Sequence, residues 1–449
     1  MDRRLRYSVQ AVLVLIIAGC SDYAGAAKSS KFRLPERFAG IDTTTDKNMN
    51  EVLMKYNPVN LGTGAPDFLP PTFVRSAMWN VSVSDDPAVN QYSNPDGHKK
   101  LQTAVARLYS DLINRDLDPN ENVIITVGAS EALYVTIQAH TNPGDEWILI
   151  EPAFTAYRSL VKMAGGVPKL VQLRPKKTRG KISSSDWVYE RKEMARAFNR
   201  KTKGILINTP HNPTGKVFTK EELQFIADLA VKWNTLVVTD EVYEWLIYKP
   251  NKHVRIAGLP DMYERTITIS SASKMFSVTG WRVGWLYGPS ELLSNVRVVH
   301  FKLVFSDPTP SQIAVAAAMN NFRKDLDRPN SYLSSYLKEL QSKRNDVVDV
   351  LEEIGMSPIV PEAGFFVMAN WTALSWRARL QDERGAFLDV RFAKWLAKNV
   401  GVLGAPVSPF YNDVNDKNSG ESYLRFCFIK KNKTLQEAAK LLLEWIQWQ

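Results

Sequence analysis

Cysteine is almost missing from the 449 residues: Cys20 and Cys427 are the only two. The first falls in an N-terminal apolar segment, so a disulfide framework and a cysteine-bound zinc are both excluded. Histidine is scarce as well, five in all and dispersed, with no pair at ligand spacing, and no metal site is expected. Low-complexity runs and fixed-period repeats are absent, which sets aside disorder and solenoid architectures. The net charge is +10, but lysines and arginines are scattered and no basic stripe interleaves with aromatics. Nucleic acid is therefore not an expected partner. The apolar run 11–19 is too short to span a bilayer, and no stable membrane span is expected in a mature chain.

What the chain does have is ordinary globular material, 45% apolar and 23% charged residues, over about three times the ~150-residue prior for one domain. Arg3, Arg4 and Arg6 precede the apolar run, and Ala24-Gly25-Ala26 follows it. Residues 1–27 thus read as a targeting segment, with a secretory signal, a mitochondrial presequence and an uncleaved anchor as the alternatives. Ile17-Ala18-Gly19-Cys20 also resembles a bacterial lipoprotein cleavage site. The remaining expectation is an N-terminal arm with part of a small domain over 28–75, a large domain over 76–325 and a small C-terminal domain over 326–449.

From residue 122 onward, β-rich runs alternate with helical patterns, the signature of βαβ units and a mainly parallel sheet. Strands are predicted at 122–127, 147–150, 204–208, 235–239, 266–270 and 283–287. Thr219-Lys220-Glu221-Glu222 is a capping box, followed by Leu223, Ile226, Leu229, Ala230 and Trp233 at helical spacing. After Pro308 and Pro310, helices are predicted over 311–322 and 331–353, separated by Arg328-Pro329-Asn330. Strands at 364–369 and 423–428 and a helix over 434–448 complete the chain, while the arm before Asn60 shows little periodicity. The fold class is α/β.

In an open parallel sheet, ligand groups gather at the carboxyl ends of the strands. Here those ends carry Asp240 with Tyr243 three residues on, Ser271-Ala272-Ser273-Lys274, and Asn212-Pro213-Thr214-Gly215. A lysine, an acid, a phenol and an amide converge. Pyridoxal phosphate needs a lysine for a Schiff base and an acid that keeps its ring nitrogen protonated, and Lys274 and Asp240 supply them. Tyr243 and Asn212 suit the ring oxygen, where a phenol and an amide lower the Schiff-base pKa. Gly128-Ala129-Ser130 opens a helix just after a strand, where free N–H groups favour a phosphate.

This set resembles the class I and II aminotransferases of the pyridoxal-phosphate fold that includes aspartate aminotransferase, over roughly residues 35–445. Within that family it looks most like the kynurenine and glutamine aminotransferases that also act as cysteine-conjugate β-lyases. The matching text is Asn60-Leu61-Gly62-Thr63-Gly64 with Pro66-Asp67-Phe68, Asn90-Gln91-Tyr92, the run 208–218 around Asn212-Pro213-Thr214-Gly215, and Ser271-Ala272-Ser273-Lys274 continuing through Gly280-Trp281-Arg282-Val283-Gly284-Trp285.

The resemblance implies a large domain with a mainly parallel sheet covered by helices, and a smaller α/β domain. It implies that Lys274 is both the cofactor lysine and the moving base. Asp240 would pair with the ring nitrogen, Asn212 and Tyr243 would meet the ring oxygen, and Phe154 would stack on the ring. Ala129, Ser130, Ser271 and Arg282 would hold the phosphate, with Tyr92 reaching the phosphate of a neighbouring subunit in a homodimer with shared sites. Arg425 would pair with the substrate α-carboxylate beside Gly64, and Phe305 would enter the pocket from across the dimer. Amino acids and 2-oxo acids are the implied substrates, in the cytoplasm or mitochondria; the signal-like start points instead to the secretory pathway.

The chain departs from the family where Gly40-Ile41-Asp42 leads to Thr43-Thr44-Thr45-Asp46 rather than to a pocket tryptophan. It also has Ser130 and Ser306 where relatives often carry tyrosine and histidine. His98 and His211 read as structural or loop residues. Transamination is the leading reading and β-elimination from a cysteine conjugate the alternative at the same site. A non-catalytic relic of the fold is opposed by the presence of Lys274, Asp240, Asn212, Tyr243, Arg282 and Arg425 together.

Overall fold

Eight strands, most of them rich in aliphatic residues, form the main sheet, in the spatial order Val123–Thr126, Gly284–Tyr287, Thr266–Ser271, Leu236–Asp240, Thr202–Asn208, Glu146–Glu151, Val167–Pro175 and Trp187–Tyr189. The five strands from Thr266–Ser271 to Val167–Pro175 are mutually parallel. Gly284–Tyr287 is antiparallel to both of its neighbours, and Trp187–Tyr189 is an antiparallel edge. The computed structural model describes residues 32–41, 44–177, 180–326, 328–411 and 418–447. The expected targeting segment, 1–27, lies outside these residues, as do the side chains of Thr45 and Asp46 and residue Trp448. Among the described residues, no helix is long and apolar enough to cross a membrane.

The central strands are buried along their whole length because helices cover both faces. Alternate side chains go to opposite sides. Leu149, Leu206 and Val238 pack with Leu133, Tyr157 and Leu293 on one face, while Ile148, Ile205 and Val237 pack with Leu223, Ile226 and Ala230 on the other. The predicted capping box is present: the Thr219 hydroxyl accepts from the Glu222 N–H at 3.2 Å, and the Glu222 carboxylate accepts from the Thr219 N–H at 2.9 Å, opening helix Lys220–Trp233.

Helices Thr309–Asp325 and Tyr332–Glu353 follow, the second capped by Ser331. A second sheet of five strands runs Ala405–Pro406, Tyr423–Cys427, Phe366–Asn370, Ser357–Val360 and Ile182–Ser183. Its core is aromatic, with Trp371 stacked on Phe392 at 4.2 Å and Trp445 packed beside them. Residues Asp42–Gln449 form one compact unit.

Several elements, among them strands Trp187–Tyr189 and Ser357–Val360 and helices Ser290–Val304 and Leu388–Asn399, were not predicted from the sequence, and two more show why. Val167–Pro175 is a nine-residue strand although Pro168 and Pro175 interrupt it; it lies next to the edge of the sheet, where a missing N–H is tolerated. The arm before Asn60 contains a helix, Thr44–Tyr56, whose Met49, Val52 and Leu53 suffice to seat it on the second core.

Candidate active site

Parallel strands in register bring their last residues together. Asn208 lies opposite Asp240, Asp240 opposite Ile269, and Gly284 opposite both Ser271 and Thr126. Just beyond these ends is a cavity of about 160 Å³ whose wall includes Ala129, Ser130, Phe154, Asn212, Asp240, Tyr243, Ser271, Lys274 and Arg282. All nine were predicted from the sequence. A larger hollow of about 290 Å³ lies between helices Tyr332–Glu353 and Asn432–Ile446. Its wall is mostly aliphatic and offers a single titratable group, Asp346, so the chemistry belongs to the smaller cavity.

Asp240 is buried at the floor. Its Oδ2 accepts a hydrogen bond from the Tyr157 hydroxyl at 2.7 Å and its Oδ1 accepts from the Val242 N–H at 3.2 Å. Burial pushes its pKa up to about 6, against these two hydrogen bonds, which favour the charged form. Tyr157 went unnoticed in the sequence because its partner is 83 residues away. Asn208, another residue not singled out, splints the floor: its amide donates to the Asp240 carbonyl at 2.9 Å while its oxygen accepts from the Asn212 N–H at 2.7 Å.

Lys274 follows the strand Thr266–Ser271 in the four-residue helix Ala272–Met275. Its Nζ donates to the Gly64 carbonyl at 3.2 Å and lies 5.4 Å from the centre of the Phe365 ring. Burial lowers its pKa to about 8, with Arg425 and Arg282 adding to the fall. Gly64 has to be glycine here, since a Cβ would sit 2.6 Å from Phe366. Tyr243 is buried edge-on to Phe365 and Phe366, and burial raises its phenol above the ordinary range.

Arg425 enters from the second sheet. Its guanidinium donates to Asn212 Oδ1 at 2.8 Å and to the Gly62 carbonyl at 3.2 Å, and lies 3.9 Å from the centre of the Phe366 ring. The loop carrying Asn212 is joined to that sheet through backbone. The Gly215 carbonyl accepts from the N–H groups of Glu362 and Ala363 at 3.1 and 3.0 Å and from the Ser184 hydroxyl at 3.1 Å. Gly215 has φ +75°, and a Cβ there would meet Pro361 at 2.3 Å.

The opposite end of the cavity is built for an anion. Helix Gly128–His140 starts there with no side-chain cap on its Val127 N-cap. A Cβ on Gly128 would fall 2.5 Å from the Arg282 guanidinium, and one on Gly284 would fall 2.5 Å from the Gly128 backbone, so the three pack as closely as glycine permits. The site can therefore hold a flat ring over Asp240, with Phe154 in its wall and an anionic arm at the helix start.

Two predicted residues stand elsewhere within this chain. Tyr92 is 81% exposed and Phe305 53% exposed, and neither belongs to the cavity wall. They meet each other instead, edge to face at 5.2 Å. Both remaining histidines of interest have structural partners. His98 caps helix Lys99–Ile113, and the buried His211 bonds to the Thr214 hydroxyl at 2.9 Å.

A buried carboxylate cluster lies behind the floor. Glu241, Glu244 and His253 converge within 4.8 Å. Arg255 pairs with both carboxylates, Tyr109 and Ser270 donate to Glu244, and His253 bonds to Glu241, so the carboxylates already have protein partners.

The family model for aminotransferase class I and II matches residues 56–442. Kynurenine–oxoglutarate transaminase 3 of Homo sapiens is 42% identical over 422 residues, covering 94% of this chain and 92% of that protein. Kynurenine–oxoglutarate transaminase 1 of Homo sapiens is 39% identical over 414 residues, covering 91% and 97%. Among solved structures, aspartate aminotransferase from Thermus thermophilus with maleate superposes with a TM-score of 0.78 at 26% identity, over 92% of this chain and 99% of that one.

Proposed function

The chain belongs to the class I and II aminotransferases, and we propose that it transfers the amino group of kynurenine, or of a related aromatic or sulfur amino acid, to a 2-oxo acid using pyridoxal phosphate. The observation that carries this reading is the meeting of Lys274, Asp240 and Asn212 in one cavity, with Arg425 bonded to Asn212. The names of the two Homo sapiens relatives supply the substrate class.

The donor set fits pyridoxal phosphate. The glycine-backed cradle at Gly128 and Gly284, with the uncapped helix start and Arg282, suits its phosphate. Ser271 and the helix-start residues Ala129 and Ser130 line the same end. When bound, the cofactor supplies an aldehyde that links to an amine and a protonated ring that draws electrons from the substrate α-carbon.

The chain's own groups do the rest. Asp240, ionised above about pH 6, presents the negative charge that keeps a ring nitrogen protonated. Asn212 and Tyr243 offer an amide and a phenol to the ring oxygen. Lys274, with a pKa near 8, has a useful fraction of free amine at neutral pH, so its Nζ can take the proton from the substrate α-carbon and return it. Arg425 has a planar fork that would pair with a substrate carboxylate, which fixes the substrate's orientation and not merely its charge. Phe365 and Phe366 exclude water beside it.

We also propose a homodimer. Tyr92 and Phe305, with Phe301 packed against Phe305, form a cluster of exposed rings that a second copy would cover, delivering Tyr92 and Phe305 to the partner's cavity.

Kynurenine, glutamine, methionine and phenylalanine offered with several 2-oxo acids test the reading. Kynurenine turnover that depends on added oxo acid supports it, and no turnover of any aromatic donor removes the substrate class. Pyruvate and ammonia released from a cysteine conjugate without an oxo acid would move the main activity to β-elimination.

A further inference from the structure

His300, in helix Ser290–Val304, is fully buried. Its Nδ1 faces Glu131 Oε1 at 2.9 Å, its Nε2 faces the Pro95 carbonyl at 2.8 Å, and Nε2 is 3.8 Å from the Asp307 carboxylate. A carbonyl only accepts, and so does an ionised carboxylate, so the ring meets both partners by donating from both nitrogens, that is, as an imidazolium. Filling this space with a buried charge among carboxylates costs more than filling it with carbon, so packing alone does not explain the cluster.

Each partner belongs to a different working part. The other oxygen of Glu131 accepts from the Val127 N–H at 3.1 Å, at the very start of helix Gly128–His140. Pro95 lies three residues beyond Tyr92. Asp307 lies two residues beyond Phe305, and among the described residues neither of its carboxylate oxygens has a hydrogen-bond partner. Phe305 itself is held at φ +66°, a strained conformation for a bulky side chain.

The two aromatic-bearing segments are also laced to each other. The Ser93 N–H donates to the Ser306 hydroxyl at 3.1 Å, and the Thr309 hydroxyl donates to the Gln91 carbonyl at 2.6 Å. Arg297, one turn earlier on the His300 helix, holds Asp96 at 2.8 Å. The charged groups around the ring are thus Glu131, Asp307 and the Arg297–Asp96 pair, from three separate segments and the ring's own helix.

We propose that His300 is a positioning residue that ties the phosphate end of its own subunit's site to the segments presenting Tyr92 and Phe305, and so adjusts the neighbouring subunit's site as well. This rests on the shared-site dimer proposed above. Breaking the imidazolium contacts frees Pro95 and Asp307, and the aromatic pair loses its fixed position at the partner's cavity.

Hybrid dimers test this directly. One subunit keeps Lys274 and the other carries K274A, so that one active cavity remains and receives Tyr92 and Phe305 from the K274A subunit. H300Q is then placed in either subunit, and the cofactor dissociation constant and the KM of the 2-oxo acid are measured. With H300Q in the K274A subunit only, cofactor binding at the intact cavity should weaken by about tenfold, the loss expected of one charged hydrogen bond. An effect seen only when H300Q shares the subunit with Lys274, or in neither case, overturns the proposal. If H300Q does not fold, D307N, which keeps the shape of the side chain, takes its place with the same two readings. A wild-type monomer by light scattering would remove the shared-site reading and this proposal together, whereas a dimer without the effect in trans removes only this one.

Discussion

Lys274 and Arg425 donate to carbonyls two residues apart on one stretch of backbone, Lys274 to Gly64 and Arg425 to Gly62, each at 3.2 Å. One comes from the end of a main-sheet strand and the other from the second sheet. Between and beyond them, Lys430 Nζ donates to the carbonyls of Thr63 and Ala65 at 3.3 and 2.7 Å. Carbonyls 62 to 65 are thus each held by a side-chain cation, and this strip ties together the proposed base and the proposed carboxylate binder.

Removing the middle tie should loosen that relation without touching the chemistry. K430M leaves two carbonyls short of a charged donor in a partly buried place. The KM values for amino acid and oxo acid are expected to rise roughly tenfold with a smaller change in kcat, and stability to fall by about 1–3 kcal/mol. Steady-state kinetics and urea unfolding measure both; a fall in kcat alone would place the role of Lys430 elsewhere.

Lys274 should reveal itself in two ways. K274A should lose the absorbance band of a lysine-linked cofactor and activity by more than about a thousandfold; a wild type without such a band would end the cofactor reading. In the cofactor-free protein the folded-state pKa, about 8, lies below the ordinary 10.5. At this lysine the unfolded chain then binds more protons between these values, so relative to K274M the wild type should gain stability as pH rises from about 8 to about 10.5, with K274M the more stable below that window. Thermal melts across the range check the sign.

Tyr157 should tune the acid at the floor. Its hydrogen bond favours the charged form of Asp240, so Y157F should push the acid's pKa further above 6 and move the acid limb of the pH–rate profile to higher pH. Activity should drop by roughly tenfold near that limb and by less at pH 8, in keeping with one charged hydrogen bond. A uniform loss at all pH values would point to packing.

For Arg425 the decisive substitution is the one that keeps the charge. R425K retains a cation but loses the planar fork, and kcat/KM for amino acids is expected to fall roughly a hundredfold. Amines without a carboxylate, if they react at all, should be indifferent to the change. Equal losses for both classes would remove the carboxylate role.

Much of the fold could be read from the chain because its central strands are buried on both faces and therefore carry unbroken Val, Ile and Thr runs, as in 237–239 and 266–269. Val167–Pro175 hid behind its prolines, and Thr44–Tyr56 behind an apolar face of three residues. The cavity was visible because strand ends are where βαβ folds collect their ligand groups, which made Asp240 and Lys274 conspicuous. Tyr157, Asn208 and Lys430 were not, since each acts through a partner far along the chain. Tyr92 and Phe305 came from resemblance alone, and a single chain brings them to each other rather than to its own cavity wall.

The Gly215 carbonyl, with its three donors from two other segments, turns the spacing between Asn212 and Arg425 into a property of main chain. Rotamer choice and local repacking leave such a spacing untouched, so the pair acts as a fixed gauge against which a substrate is measured. Changes of taste for new side chains then have to arise in walls that are not anchored to that gauge, and the reacting centre can stay the same while they do.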